Sequence, residues 1–280
     1  MEGSDALERE VAAHYARGVD IAEAVLDAFA AAGGDRERPT AEGLAAADQF
    51  HLGGERATAA LAEDMGLREG MRVLDLGCGI GGPARLFASR FGCRVVGVDL
   101  SAEYVAAAQA LTDRCGLGRL ATFRQGTAAA IPAEDGALDA AVLIHVGMNV
   151  PDKAALFAEV RRVLAPGGRF GVLDVVRTRV GEFAFPMPWA AGPATSFLEP
   201  PQAYRDALAR AGFVLEAEHD RAPLAREAFA EMRARLKRSG PPAMGLHVLI
   251  GPGAKERMAN VAAALEGGLV APVQFVARRA

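Results

Sequence analysis

An α/β fold built on a mostly parallel sheet is what this sequence predicts, on three observations. From about residue 72 onward, short apolar runs alternate with longer segments of helical spacing. That alternation implies right-handed β-α-β crossovers. A glycine-rich loop, "GCGIGG" at 77–82, joins the first such run to the first such helix. Residues able to carry chemistry then fall at the ends of successive runs: Asp75, Asp99, Gly126-Thr127, Ile144-His145 and Asp174. In parallel sheets that carboxyl rim is where ligands bind.

The elements follow in order. From about Asp5 to Ala32, Val11, Tyr15, Val19, Ala22, Val25 and Phe29 recur at helical steps, which predicts one long helix ended by Gly33-Gly34. A charged connector follows, and a second helix is expected over 54–65, stopping near Gly66. Then "RVLDLG" reads as a buried strand, "GPARLFASRF" as a helix, "CRVVGVDLS" as a strand and "AEYVAAAQALTDRCG" as a helix. "LATFRQG" and "LDAAVLIHV" are strands three and four. "DKAALFAEVRRVLAPGG" is a helix with an apolar face at Leu156, Phe157, Val160, Val163 and Leu164, and "RFGVLDVV" is strand five. The stretch "GEFAFPMPWAAGPATSFLEP" is too apolar for a solvated tether and reads as a lid. "PQAYRDALARAGF" is again helical, "VLEAEHD" is a strand, and two more helices precede the closing strand "PVQFVARR". Three segments result: 1–60, a helical arm and cofactor lid; 61–180, the binding core; 181–280, a substrate lid, cap helices and closing strands of the same domain.

Composition narrows the function. Thirty-one basic residues oppose thirty-five acidic ones, a net charge of −4, which lacks the basic field of a general nucleic-acid binder. No run reaches the roughly 18 apolar residues of a membrane span. The acidic start "MEGSDALERE" lacks the apolar core of a secretory signal. Cys78, Cys93 and Cys115 form no C-x-x-C pair and read as reduced thiols, so a cytoplasmic setting is expected. The five histidines are scattered, so no metal is expected.

Gly77, Gly79 and Gly82 satisfy G-x-G-x-x-G, which alone fits a pyrophosphate or another ligand of a helix N-terminus. Pro83 suits the first turn of that helix. Asp75 discriminates. A carboxylate at the end of the first strand repels a pyrophosphate but favours S-adenosylmethionine, which carries an ammonium and a sulfonium. Asp99, about 20 residues beyond the glycines, is placed to accept both ribose hydroxyls. S-adenosylmethionine is therefore the expected cofactor, with S-adenosylhomocysteine as product. The alternatives are an NAD-dependent oxidoreductase and a non-catalytic cofactor-binding regulatory module.

"VLDLGCGIGGPA", "GVDLS" and "RVLAPGGRF" resemble the class I S-adenosylmethionine-dependent methyltransferases, from about Gln49 to Phe213. The nearer likeness is to small-molecule enzymes: sarcosine and dimethylglycine N-methyltransferases, phosphoethanolamine methyltransferases, tocopherol-type and sugar methyltransferases. The resemblance implies a Rossmann-like, seven-stranded sheet with helices on both faces, its last strand antiparallel, and helical cap and lid segments. It also implies that "DQFHLGGERAT" is the arm over the methionine end, which carries over Phe50, His51, Gly53 and Gly54. Leu100, Gly126, Thr127, Ile144 and His145 complete the expected cofactor set, the last two flanking the methionine moiety. Many relatives have an acid at the Thr127 position to accept the adenine amine. Threonine offers only a hydroxyl, so the contact is expected to fall to adjacent backbone.

Methyl transfer is an in-line displacement, and the protein chiefly supplies alignment. His145 and His51 are the candidate catalytic residues, as base or orienter, each with a structural alternative. Met148, Asn149, Trp189 and Phe197 are the candidate substrate residues. In phosphoethanolamine methyltransferases a histidine corresponds to Asn149, and asparagine cannot act as that base. The expected partner is a small-molecule acceptor, with no nucleic acid and no membrane; a homodimer is left open.

Overall fold

The structure, a computed structural model, describes residues 2–15 and 18–280, the side chains of 2–5 aside. Among the described residues, seven strands form one sheet: β1 (Arg72–Leu76), β2 (Arg94–Asp99), β3 (Ala121–Gln125), β4 (Leu138–Ile144), β5 (Leu164–Arg177), β6 (Phe213–Asp220) and β7 (Val270–Arg279). Their order is β3-β2-β1-β4-β5-β7-β6. β1 to β5 pair in parallel, and β7 runs antiparallel between β5 and β6. This is the Rossmann-like sheet, with its last strand antiparallel, that the sequence led us to expect.

The helices are α1 (Glu2–Tyr15), α2 (Ile21–Ala31), α3 (Ala41–Asp48), α4 (Gly54–Asp64), α5 (Gly82–Phe91), α6 (Ala102–Arg114), α7 (Lys153–Val163), α8 (Pro201–Arg210), α9 (Ala222–Ser239), α10 (His247–Ile250) and α11 (Ala254–Glu266). None of the described helices is long and apolar enough to cross a membrane.

Period-two alternation along the strands divides the core in two. Leu74, Leu76, Leu143, Phe170 and Val172 face one side, where Phe157 of α7, Tyr204 of α8 and Val261 of α11 cover them. Val73, Val95, Val142 and Leu173 face the other, against Leu61 of α4 and Phe87 of α5. A third cluster joins Val25 and Leu26 of α2, Leu44 of α3, Leu111 of α6 and Leu249 of α10. α2, α3 and α10 therefore pack together against α6.

Four elements differ from the sequence reading; one is the stretch before the closing strand, which holds α9, α10 and α11 where two helices were expected. The long first helix is two, because Gly18 lies at φ +63° and Asp20 caps α2 by accepting the N–H of Glu23 at 3.1 Å. The connector contains α3, capped by Thr40, which accepts from Gly43 at 3.0 Å. α7 stops at Val163: Leu164 turns extended and pairs with Leu138, and Pro166 cannot continue a helix.

Candidate active site

A cavity of about 410 Å³ opens at the carboxyl ends of β1 to β4. β1 delivers Asp75, and the chain then turns sharply. Gly77 stands at φ +74° and donates its N–H to Val98 O at 2.7 Å; a Cβ there would meet Val146 at 2.2 Å, so only glycine fits. Gly79, at φ +54°, faces open space. Its N–H donates to Asp99 Oδ2 at 2.9 Å, while Ser101 N–H donates to Asp99 Oδ1 at 2.9 Å. Burial raises the Asp99 carboxyl to about 6, against those backbone donors.

Asp75 is 1% exposed, and its Oδ2 has no hydrogen-bond partner among the described residues. Burial, then the charge of Asp99, pushes its carboxyl up to about 7. A buried acceptor without a donor is costly and calls for a ligand. No Lys or Arg lines the cavity among the described residues, whereas Glu8, Asp48, Asp75, Asp99 and Asp152 do. Such a wall suits a cation and opposes a pyrophosphate.

Beneath the glycine loop, Arg85 of α5 is fully buried with Asp48. Its Nη2 donates to Asp48 Oδ2 and to Ile80 O, both at 2.8 Å, and Nη1 donates to Thr112 Oγ1 at 2.9 Å. One guanidinium thus ties α3, the loop and α6 together.

The two histidines meet across the cavity, rings edge-on at 5.7 Å between centroids. Thr58 Oγ1 donates to Gln49 Oε1 at 2.8 Å, which uses its proton. His51 Nε2 is 2.9 Å from that same Oγ1 and 3.1 Å from Gly54 O, so Nε2 carries the hydrogen and Nδ1 the lone pair. Burial lowers the His51 imidazole to about 4. Burial, with His51 beside it, holds His145 well below its ordinary value, and His145 Nε2 has no partner among the described residues. His145 also stands at φ +54°, a left-handed backbone that a non-glycine side chain adopts at a cost. Such strain concentrates at functional positions.

Most of the expected site residues line this one cavity: Phe50, His51, Asp75, Gly77, Gly79, Asp99, Leu100, Gly126, Thr127, Ile144, His145, Met148, Asn149 and Trp189. Gly53, Gly54 and Phe197 do not. A Cβ on Gly53 would face Ala57 and Leu224, and Gly54 contributes only the carbonyl that holds His51. Phe197 braces the loop after β4: its N–H donates to Met148 O at 2.7 Å, and its carbonyl accepts from Lys153. Asn149 lines the wall but its amide is committed. Nδ2 donates to Trp189 O and Thr195 O at 2.9 Å, and Oδ1 accepts from Tyr15. The Trp189 indole N–H is likewise spent on Ser196.

Leu7, Glu8, Val11 and Tyr15 of α1, Leu249 of α10, and Met258 and Val261 of α11 also line the cavity. The sequence reading did not assign them to the site. Val11 and Tyr15 belong to the apolar stripe that marked the first helix, but a stripe does not say whether it faces a core or a cavity.

A family model described as a methyltransferase domain matches residues 74–172. A sterol 24-C-methyltransferase of Gibberella zeae is 37% identical over 120 residues, 43% of this chain and 32% of that enzyme. The match thus spans about a third of that relative's length. Among solved structures, the cyclase SpnF is 27% identical at a TM-score of 0.63, over 80% of each chain. The geranyl diphosphate C-methyltransferase of Streptomyces coelicolor, solved with S-adenosyl-L-homocysteine, has a TM-score of 0.62 at 24% identity, over 81% of this chain and 79% of that one. Residues 74–172 thus match a methyltransferase-domain model, and the chain shares the Rossmann-like fold of these solved structures.

Proposed function

We propose that this chain is an S-adenosylmethionine-dependent methyltransferase acting on a small, uncharged and largely apolar acceptor. The observation that carries the reading is the unpartnered, buried Oδ2 of Asp75 beside the glycine loop, one strand from Asp99. Asp75 would hold the cofactor's ammonium, and Asp99 its ribose hydroxyls. When bound, S-adenosylmethionine supplies an electrophilic methyl group. The free thiols Cys78, Cys93 and Cys115 fit a cytoplasmic setting.

The chain's own residues supply alignment. At pH 7 both imidazoles are neutral. Holding a proton on His51 there would cost about 4 kcal/mol, from a value of about 4. His51 Nδ1 and His145 therefore accept a hydrogen bond from an acceptor hydroxyl and aim its lone pair; as the O–CH3 bond forms and the cofactor's C–S bond breaks, they pass the hydroxyl proton on to solvent and do not retain it. Met148, Trp189, Leu249, Met258 and Val261 give the acceptor end an apolar wall. The absence of Lys or Arg from the described lining argues against phosphorylated acceptors.

Transfer of a labelled methyl to a panel of acceptors tests this. Hydroxylated isoprenoids and phenols are expected to take label; sarcosine and phosphoethanolamine are not. His145→Gly is expected to cut transfer at least ten-fold, about 1.4 kcal/mol of alignment, with little change in thermal midpoint, since glycine adopts that backbone freely. Label entering only amino acids or phosphorylated amines would contradict the reading. Cofactor binding with no transfer to any acceptor would point instead to chemistry of the cyclase kind.

A further inference from the structure

We propose that Glu8 of α1 reads the adenine of the cofactor by accepting its exocyclic amine, with Thr127 as the residue that positions it. This rests on the cofactor reading above and deepens it. The sheet order says where the base must lie. With the ammonium end at Asp75 on β1 and the ribose at Asp99 on β2, the next strand outward is β3. The residues that follow β3, Gly126 and Thr127, line that end of the cavity together with Leu100 and Ala128.

An adenine edge presents an amine donor, so choosing it over other purines takes an acceptor at that place. Leu100 and Ala128 have apolar side chains. Thr127 has one hydroxyl, and it is committed twice: Oγ1 donates to Glu8 Oε1 and accepts the N–H of Ala129 at 3.2 Å. A carboxylate has about four acceptor sites, and the bond from Thr127 occupies one of them. The other acids in the wall have work elsewhere. Asp48 pairs with Arg85, Asp152 caps α7, and Asp75 and Asp99 stand at β1 and β2. At its far end α1 is tied down by Tyr15, whose hydroxyl donates to Asn149 Oδ1 at 3.2 Å. Glu8 is therefore presented to the base from a helix held at Glu8 itself by Thr127 and at its C-terminal end by Tyr15, and the side-chain acceptor that the residues after β3 lack comes from α1.

Calorimetric titration of the full chain tests the assignment without turnover. The two ligands are S-adenosylhomocysteine and its analogue with hydrogen in place of the adenine amine. The unaltered chain is expected to prefer the adenine ligand by about ten-fold or more, the worth of one hydrogen bond to a charged acceptor. Glu8→Ala should abolish that preference, and Thr127→Val should weaken it by releasing Glu8. Thr127→Asp added to Glu8→Ala should restore it. A full preference kept in both Glu8→Ala and Thr127→Val would overturn the assignment while leaving the cofactor reading intact. Failure of the unaltered chain to bind S-adenosylhomocysteine would overturn both.

Discussion

Replacing Arg85 with alanine is expected to destabilise the fold by about 3–5 kcal/mol, the usual cost of removing one partner of a buried ion pair. Arg85 and Asp48 are both fully buried. Alanine leaves the Asp48 carboxylate without its cation. It also strips donors from Ile80 O and Thr112 Oγ1, and opens a void the size of a guanidinium. Against a typical total of about 5–15 kcal/mol, this is a large share. Ile80 sits in the glycine loop, so cofactor affinity should fall with stability. Arg72 provides the comparison: it forms a geometrically good pair with Asp139 at 2.8 Å, but it is half exposed. Arg72→Ala should cost about 1 kcal/mol or less. Chemical denaturation of both variants checks the prediction, and equal costs would contradict it.

The second large effect is a trade between stability and binding at Asp75. Its carboxyl lies at about 7 in the folded chain, against 3.8 ordinarily, because burial and Asp99 disfavour its charge. A folded-state value above the unfolded one means that the native state holds the extra proton between those two pH values. Stability from this group is therefore fully present below about pH 4 and is lost as pH rises through about 7. Asp99, raised to about 6, and Asp174, raised to about 7 by burial, act in the same direction. His51 and His145 act oppositely: their depressed values remove stability as pH falls below 6.5. The total profile mixes these, so the clean quantity is the difference between Asp75→Asn and the unaltered chain. The variant should gain on it by up to about 4 kcal/mol between about pH 4 and pH 8. Its affinity for S-adenosylhomocysteine should fall, since an amide cannot pair with the ammonium. Denaturation and titration across pH measure both. Parallel stability profiles would show that Asp75 carries no such strain.

Much of this architecture was legible in the sequence because local chemistry and tertiary role agree there. Gly77 had to turn where a side chain would strike Val146, and Asp75 and Asp99 ended strands that pair side by side. Where local signals conflict, the reading fell short. The apolar face of "DKAALFAEVRRVL" runs on into Leu164, which leaves the helix because it pairs with Leu138. The stripe from Val11 to Phe29 crosses Gly18, whose left-handed backbone ends the periodicity. The site was legible along the strand ends and illegible where helices close over it. Glu8 and Met258 look like ordinary helix residues, and only the three-dimensional arrangement brings them to the cavity. Asn149 shows the converse: a polar residue at the right place whose amide is consumed by the lid that it holds.

The most direct measurement is calorimetric titration of the chain with S-adenosylmethionine, S-adenosylhomocysteine and NAD, repeated with Asp99→Ala. The account predicts micromolar binding of the first two, at least ten-fold weaker in the variant, the loss of about one charged hydrogen bond, and no heat from NAD. Tight NAD binding without S-adenosylmethionine binding would contradict it, because an acidic cavity with an unpaired Asp75 would then be holding a pyrophosphate.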